Sequence, residues 1–152
     1  MDGQSRRPAG GVAPAAAALL QQLAQQPQAY TLFAALRQIE RAHPQQPRLG
    51  RSVRPSEDPV RLRQAPTLAF APRDIAQVMP ASDGRPPAVQ GYAFGLFGPN
   101  GPLPLHLTEH ALQRQRSARD YSLVAFADLF HYRMLGLFYR SWADAQPVVQ
   151  AD

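Results

Sequence analysis

Residues 106–110 read His-Leu-Thr-Glu-His, the H-x-x-E-H order of inverted zincins. On a helix His106 and His110 stand four apart and share one side. Both could bind Zn²⁺, with Glu109 activating a metal-bound water. Such a centre needs a third protein ligand, and no carboxylate–histidine cluster follows downstream. Asp128 and His131 are available, but nothing in their spacing demands a metal. A zinc hydrolase using His106, Glu109 and His110 therefore stands as an alternative to a surface helix with ordinary polar residues. Asp128 and His131 lie three apart on a second helical stretch and can touch. They could form an acid–base pair. Without a nucleophile or a cleft signal, they read better as a hydrogen-bonded polar patch inside a helical packing. Gly95, Gly98 and Gly101 recur every three residues. They do not form a phosphate loop, because no Gly-Lys-Ser/Thr ending follows and the chain has no lysine. They read as a turn that needs positive φ.

The formal net charge is +5, and all 16 basic residues are arginine. Arg48, Arg51, Arg54, Arg61 and Arg63 form one group, and Arg114, Arg116 and Arg119 another. A nucleic-acid-binding module is the alternative these groups raise. It would need them on one face, with polar or aromatic contacts to bases. Glu57 and Asp58 sit inside the first group and are placed to pair locally. A basic balance alone supports only non-specific attraction. The planar guanidinium suits protein interfaces equally well.

The elements that must position these residues follow from composition and period. With 152 residues, 45% hydrophobic and 18% charged, the chain fits one globular domain with a real core. There is no cysteine, hence no disulfide framework or thiolate chemistry. No apolar run reaches the length of a membrane span. Arg6 and Arg7 precede the alanine-rich stretch Val12–Leu20, but Pro14 interrupts it and glutamines stand where a cleavage site belongs. Cytoplasm is the expected compartment.

Residues 1–13 read as a loose tail, 14–145 as a single domain and 146–152 as a loose end. Pro14 suits the first turn of a helix over Ala15–Gln26. Thr31 suits the cap of a second helix, Leu32–Arg41, striped by Leu32, Phe33, Leu36 and Ile39. After a long loop over 43–59 the period drops to two. Val60 and Leu62 alternate with Arg61 and Arg63, a strand with one wet side. Leu68 and Phe70 suggest a short second strand, and Arg73–Met79 a helical turn carrying Ile75 and Val78. Residues 80–87 form another loop. Ala88–Phe97 reads as a third strand, with Gly91, Ala93 and Gly95 allowing close approach of another backbone. Residues 98–102 make a tight turn, and Leu105–Arg116 a helix. Asp120 is placed to cap the last helix, Tyr121–Ala143, which is apolar nearly all round. The expected fold is α+β, with N-terminal helices, a small antiparallel sheet and a long C-terminal apolar helix. Such a helix has more apolar surface than so small a sheet can cover, so it should either fill this domain's core or seek partner helices, and an exposed apolar side would mark an interface. Phe126, Phe130, Arg133, Leu137, Tyr139, Arg140 and Trp142 are the interface candidates it offers, with Arg51 and Arg54 from the arginine-rich loop.

Two long stretches carry a resemblance. The first is Gly95-Leu96-Phe97-Gly98-Pro99-Asn100-Gly101-Pro102-Leu103-Pro104, followed by Thr108-Glu109. The second is Asp120, then Phe126 to Arg133, then Leu137 to Trp142. Together they resemble the signatures of TssG, the type VI secretion baseplate family also called ImpH or VasB. Phe33 with Leu36, Gly50-Arg51, Glu57, Val60-Arg61-Leu62 and Leu68 to Pro72 fall in the family's order upstream. The resemblance spans about Tyr30 to Trp142. Tyr132 stands where the family usually has His, and Ser141 where it usually has Ala. Members are longer, so the resemblance implies that this chain corresponds to their N-terminal half. It also implies a non-enzymatic wedge component of a contractile-tail baseplate, without catalytic residues or cofactor. The implied partners are two copies of TssF, with TssE completing the wedge and TssK linking it to the membrane complex. No nucleic acid and no direct membrane insertion are implied. Thr108 and Glu109 belong to that pattern without any metal.

Overall fold

The computed structural model describes residues 14–92 and 94–151. The tail expected over residues 1–13 lies outside these, as does Ala93. Helix α1, Pro14–Gln25, buries Ala16 and Leu23. Pro27 opens a single 3₁₀ turn, Pro27–Ala29, which redirects the chain into α2, Leu32–Ala42. Thr31 caps α2 as the sequence suggests: its Oγ1 accepts from Ala34 N at 3.3 Å. One side of α2 buries Leu32, Ala35, Leu36 and Ile39.

Strands β1 (Arg61–Gln64), β2 (Ile75–Met79) and β3 (Ala88–Gly91) form one sheet in the order β1-β3-β2. The α+β class holds, but the sheet is mixed. β3 pairs parallel to β1, Arg61 opposite Ala88, and antiparallel to β2, Met79 opposite Ala88. A wholly antiparallel sheet was the expectation, and it rested on a strand at Leu68–Phe70. That segment is irregular, and Phe70 is exposed. The strand forms instead at Ile75–Met79, where a helical turn was expected. The cause is a register shift between Ile75 and Gln77. One extra residue changes the phase of the alternation, so Ile75 and Val78 mimic a helical spacing of three. β3 then enters between β1 and β2, and residues 65–87 supply the long crossover a parallel pair requires. β3 stops at Gly91 rather than Phe97. There a Cβ would lie 3.2 Å from Asp74 O, and Tyr92 N turns to donate to that same oxygen.

Helix α3, Leu105–Ala118, ends on Arg119, which adopts φ 48°. Helix α4, Ser122–Asp144, follows at once. Asp120 secures its start: Oδ1 accepts from Ser122 N at 2.9 Å, and Arg114 pairs with Oδ2. The hydrogen bonds from Ser122, then Arg114, hold the Asp120 carboxyl at about 2. Residues 146–152 were expected to be loose. Pro147–Gln150 instead form a short helix, α5, with Val149 buried. Arg37 and Arg48 donate to the carbonyls of Val148 and Val149, which ties α5 down.

The main core gathers Leu36, Ile39, Leu62, Ile75, Val89 and Tyr139 between α2, the sheet and α4. A smaller cluster, Phe97, Ala111, Val124 and Ala127, sits between α3 and the start of α4.

Candidate partner interface

Helix α4 has two sides with different tasks. Its inner side buries Val124, Ala127, His131, Leu135, Tyr139 and Ala143 and carries three polar anchorages.

The first anchorage holds the glycine-rich turn after β3. Leu96, Phe97 and Gly98 present consecutive backbone N–H groups, and each meets an acceptor from a different element. Leu96 N donates to His131 Nε2 at 2.9 Å, Phe97 N to Gln64 Oε1 at 2.9 Å and Gly98 N to Thr108 Oγ1 at 2.9 Å. Gln64 Nε2 returns a bond to Phe97 O at 2.9 Å. His131 is fully buried, and its Nε2 accepts, so its proton sits on Nδ1 and is donated to Asp128 Oδ1 at 2.8 Å. Asp128 also accepts from Gln64 N at 3.2 Å. The Asp128–His131 pair is thus the hydrogen-bonded polar patch its spacing suggested. Gly95 is required here: it adopts φ +156°, and a Cβ would lie 2.3 Å from Gln64 Oε1.

The second anchorage holds the 43–59 loop. Glu40 of α2 accepts from Leu49 N at 2.8 Å, from Tyr139 Oη at 2.7 Å and from Arg140 Nη2 at 3.0 Å. Gly50, at φ +81°, lies so close to α4 that a Cβ would stand 2.4 Å from Gly136 O. Burial first, then the hydrogen bond to Glu40, pushes the Tyr139 hydroxyl well above its usual range. Because the folded value is raised, this contribution is complete below about pH 10. It is lost as pH rises through the folded value. Urea midpoints measured from pH 8 to 11 should fall on the alkaline side, and Tyr139→Phe should flatten that decline.

In the third anchorage Tyr132 donates to the buried carboxylate of Asp58. Arg61 lies over the Tyr132 ring, 5.3 Å from its centroid. Burial, then the bond to Asp58, raises the Tyr132 hydroxyl as well.

The outer side of α4 faces away from the main core, and only Arg133 and Leu137 reach the edge of the 43–59 loop. Leu123, Phe126, Phe130, Arg133 and Leu137 follow one another at intervals of three and four residues. Phe126 is 60% exposed, Phe130 51% and Leu137 60%. Phe126 and Phe130 meet edge to face at 5.5 Å, and Leu129 extends the patch. Of the candidates drawn from the sequence, Phe126, Phe130, Arg133 and Leu137 are brought together here. Tyr139 and Arg140 lie on the opposite side, buried, where they serve Glu40. Trp142 is half-buried against Phe33, ring centroids 5.1 Å apart. Arg51 pairs with Asp144 at 3.0 Å near the end of α4. Arg54 is exposed just before the 3₁₀ turn Pro55–Glu57, and its backbone N donates to Glu57 Oε2 at 3.1 Å.

Sequence reasoning did not single out Gln64 and Glu40. By type and position both are ordinary polar residues near element ends, and only the glycines at positions 50 and 95 hint that something passes close by. His106, Glu109 and His110 stand on the exposed part of α3. Among the described residues no three His, Cys, Asp or Glu gather where they could hold a metal ion. Thr108 is turned inward instead, as the acceptor for Gly98.

Comparison with known families gives a match to the model described as "Type VI secretion, TssG" over residues 26–152. Neither the curated proteins nor the solved structures contain a match. The matched span takes in α2, the sheet, the anchored turn and the whole of α4. This chain belongs to the TssG family, a structural component of the type VI secretion baseplate.

Proposed function

We propose that this chain acts as a non-enzymatic scaffold in a baseplate wedge, seating TssF on the outer side of α4 and bridging it to TssK. Two copies of TssF and one TssE complete the wedge, in the cytoplasm at the inner membrane, which the assembly reaches through its partners. Among the described residues no helix is long and apolar enough to cross a membrane.

The observation that carries the reading is the exposed stripe Phe126, Phe130 and Leu137. Aromatic side chains of this kind bury roughly 150–250 Å² each when covered. Half-exposed phenylalanines flanked by leucines therefore leave a patch of several hundred Å², the size that marks an interaction site. Arg51 and Arg54, both exposed on the 43–59 loop, are charges that would steer association.

The test is co-expression with TssF followed by native mass spectrometry. The wild-type chain should appear in a mixed complex. A Phe126→Ser, Phe130→Ser, Leu137→Ser variant should keep its far-UV spectrum and thermal midpoint, since exposed positions change stability little, and should be recovered without TssF. Recovery of the wild-type chain only as monomer would refute the scaffold reading.

A further inference from the structure

We infer that the partner segment seated on α4 is a helix carrying a carboxylate in register with Arg133, and that this one ion pair selects the partner. The inference rests on the scaffold reading and adds to it the chemistry of the recognised surface.

The spacing of Leu123, Phe126, Phe130, Arg133 and Leu137 alternates three and four residues, the seam of a helix that packs lengthwise against another. Four positions of that seam are apolar. The fifth, near its middle, is a guanidinium. Among the described residues it makes one long hydrogen bond, Nη1 to Ser52 O at 3.5 Å. Among the described residues Arg133 has no ion pair. The carboxylates nearest it along α4 are engaged elsewhere: Asp128 accepts from His131 and Gln64 N, and Asp144 pairs with Arg51.

A helix laid on Phe126, Phe130 and Leu137 would take Arg133 out of water with them. A buried charge without a counter-ion is strongly unfavourable, whereas one polar seam position that finds its match fixes register and partner choice. The occupant must therefore bring an acceptor with negative charge, and the planar fork of arginine suits a carboxylate. The α4 seam of a second copy does not meet the requirement. Its outer α4 side offers the same apolar residues and the same arginine, and its two carboxylates, Asp128 and Asp144, are engaged. The seam of a second copy therefore does not match this one, and the occupant we infer is a different polypeptide.

The test compares variants of the full chain at the mixed complex with TssF, by titration at low and high salt. Arg133→Met keeps the apolar seam and leaves the partner's carboxylate unmatched. Affinity should fall by about thirtyfold or more, and the salt dependence of the wild type should shrink. Arg133→Glu should fall further, and Arg133→Lys should recover part of the loss. Equal or tighter binding by Arg133→Met, with the phenylalanine variants still defective, overturns the inference while leaving the scaffold reading intact. Sedimentation of the chain alone is the second measurement. Self-association that Phe130→Ser abolishes would show that a second copy covers the seam, and would overturn the inference too. Absence of any TssF complex removes the scaffold reading and the inference together.

Discussion

Replacing Glu40 by alanine should lower the unfolding free energy by about 3 kcal/mol, because it leaves a buried guanidinium with only the distant, half-exposed Asp144 at 3.9 Å. The side chains of Glu40 and Arg140 are only 10% and 8% exposed. Removing the carboxylate also leaves Leu49 N and the Tyr139 hydroxyl without their acceptor. A typical domain has about 5–15 kcal/mol in total, so the variant should be partly unfolded at moderate temperature. Urea denaturation followed by far-UV circular dichroism gives the number, with an unchanged m value as the check that unfolding remains two-state. Glu40→Gln should fall between wild type and alanine, because it still offers an acceptor but no charge. Adding Arg140→Met to Glu40→Gln should restore part of the loss, because no stranded charge remains. A loss below about 1 kcal/mol for Glu40→Ala would place the anchorage among weak surface pairs and count against its role in holding the 43–59 loop.

The second large effect should come from Gln64→Leu, a change of similar volume that removes both hydrogen bonds to Phe97. Both bonds are buried, and an orphaned buried group costs about 1–3 kcal/mol. The expected loss is about 3 kcal/mol, and it should be local as well as global. Hydrogen exchange should show the amides of Leu96, Phe97 and Gly98 opening before the core strands in the variant, and together with them in the wild type. His131→Phe removes the neighbouring acceptor. Combined with Gln64→Leu it should show a coupling of about 0.5–3 kcal/mol, as expected for residues of one network. Strict additivity would mean that the turn is held at independent points.

Much of the fold is legible in the sequence where the signal is local. Thr31 followed by a stripe at helical spacing gives α2, and a long run free of proline gives α4. The sheet is less legible because its order is set by pairing between distant segments. Proline at 66 and 72 and the apolar Leu68 and Phe70 imitate a hairpin, while the register shift after Ile75 disguises the true edge strand as a helical turn. The anchorages are hidden for the same reason. Gln64 and Phe97 are 33 residues apart, Asp58 and Tyr132 are 74, and Glu40 and Arg140 are 100. No window along the chain contains both partners. The interface candidates divide between two sides of α4. A helix that is apolar nearly all round has no polar arc to mark its outside, so the sequence supplies the residues but not the division among them. Phe126, Phe130, Arg133 and Leu137 turn out, and Tyr139 and Arg140 turn in, only because Glu40 and Gly50 claim one side of α4. The short α5 escapes notice because its attachment depends on arginines donating to its carbonyls, which composition does not reveal.

The undivided length of α4 has a mechanical consequence. It runs 23 residues without a proline, roughly 35 Å at 1.5 Å per residue. The 43–59 and 95–104 segments are fastened to its back, and its front from Leu123 to Phe130 is exposed. Traction on the front therefore passes through a single stiff rod to both segments at once, with no flexible joint between to absorb the displacement. A subunit braced in this way would move as one block when its neighbours shift.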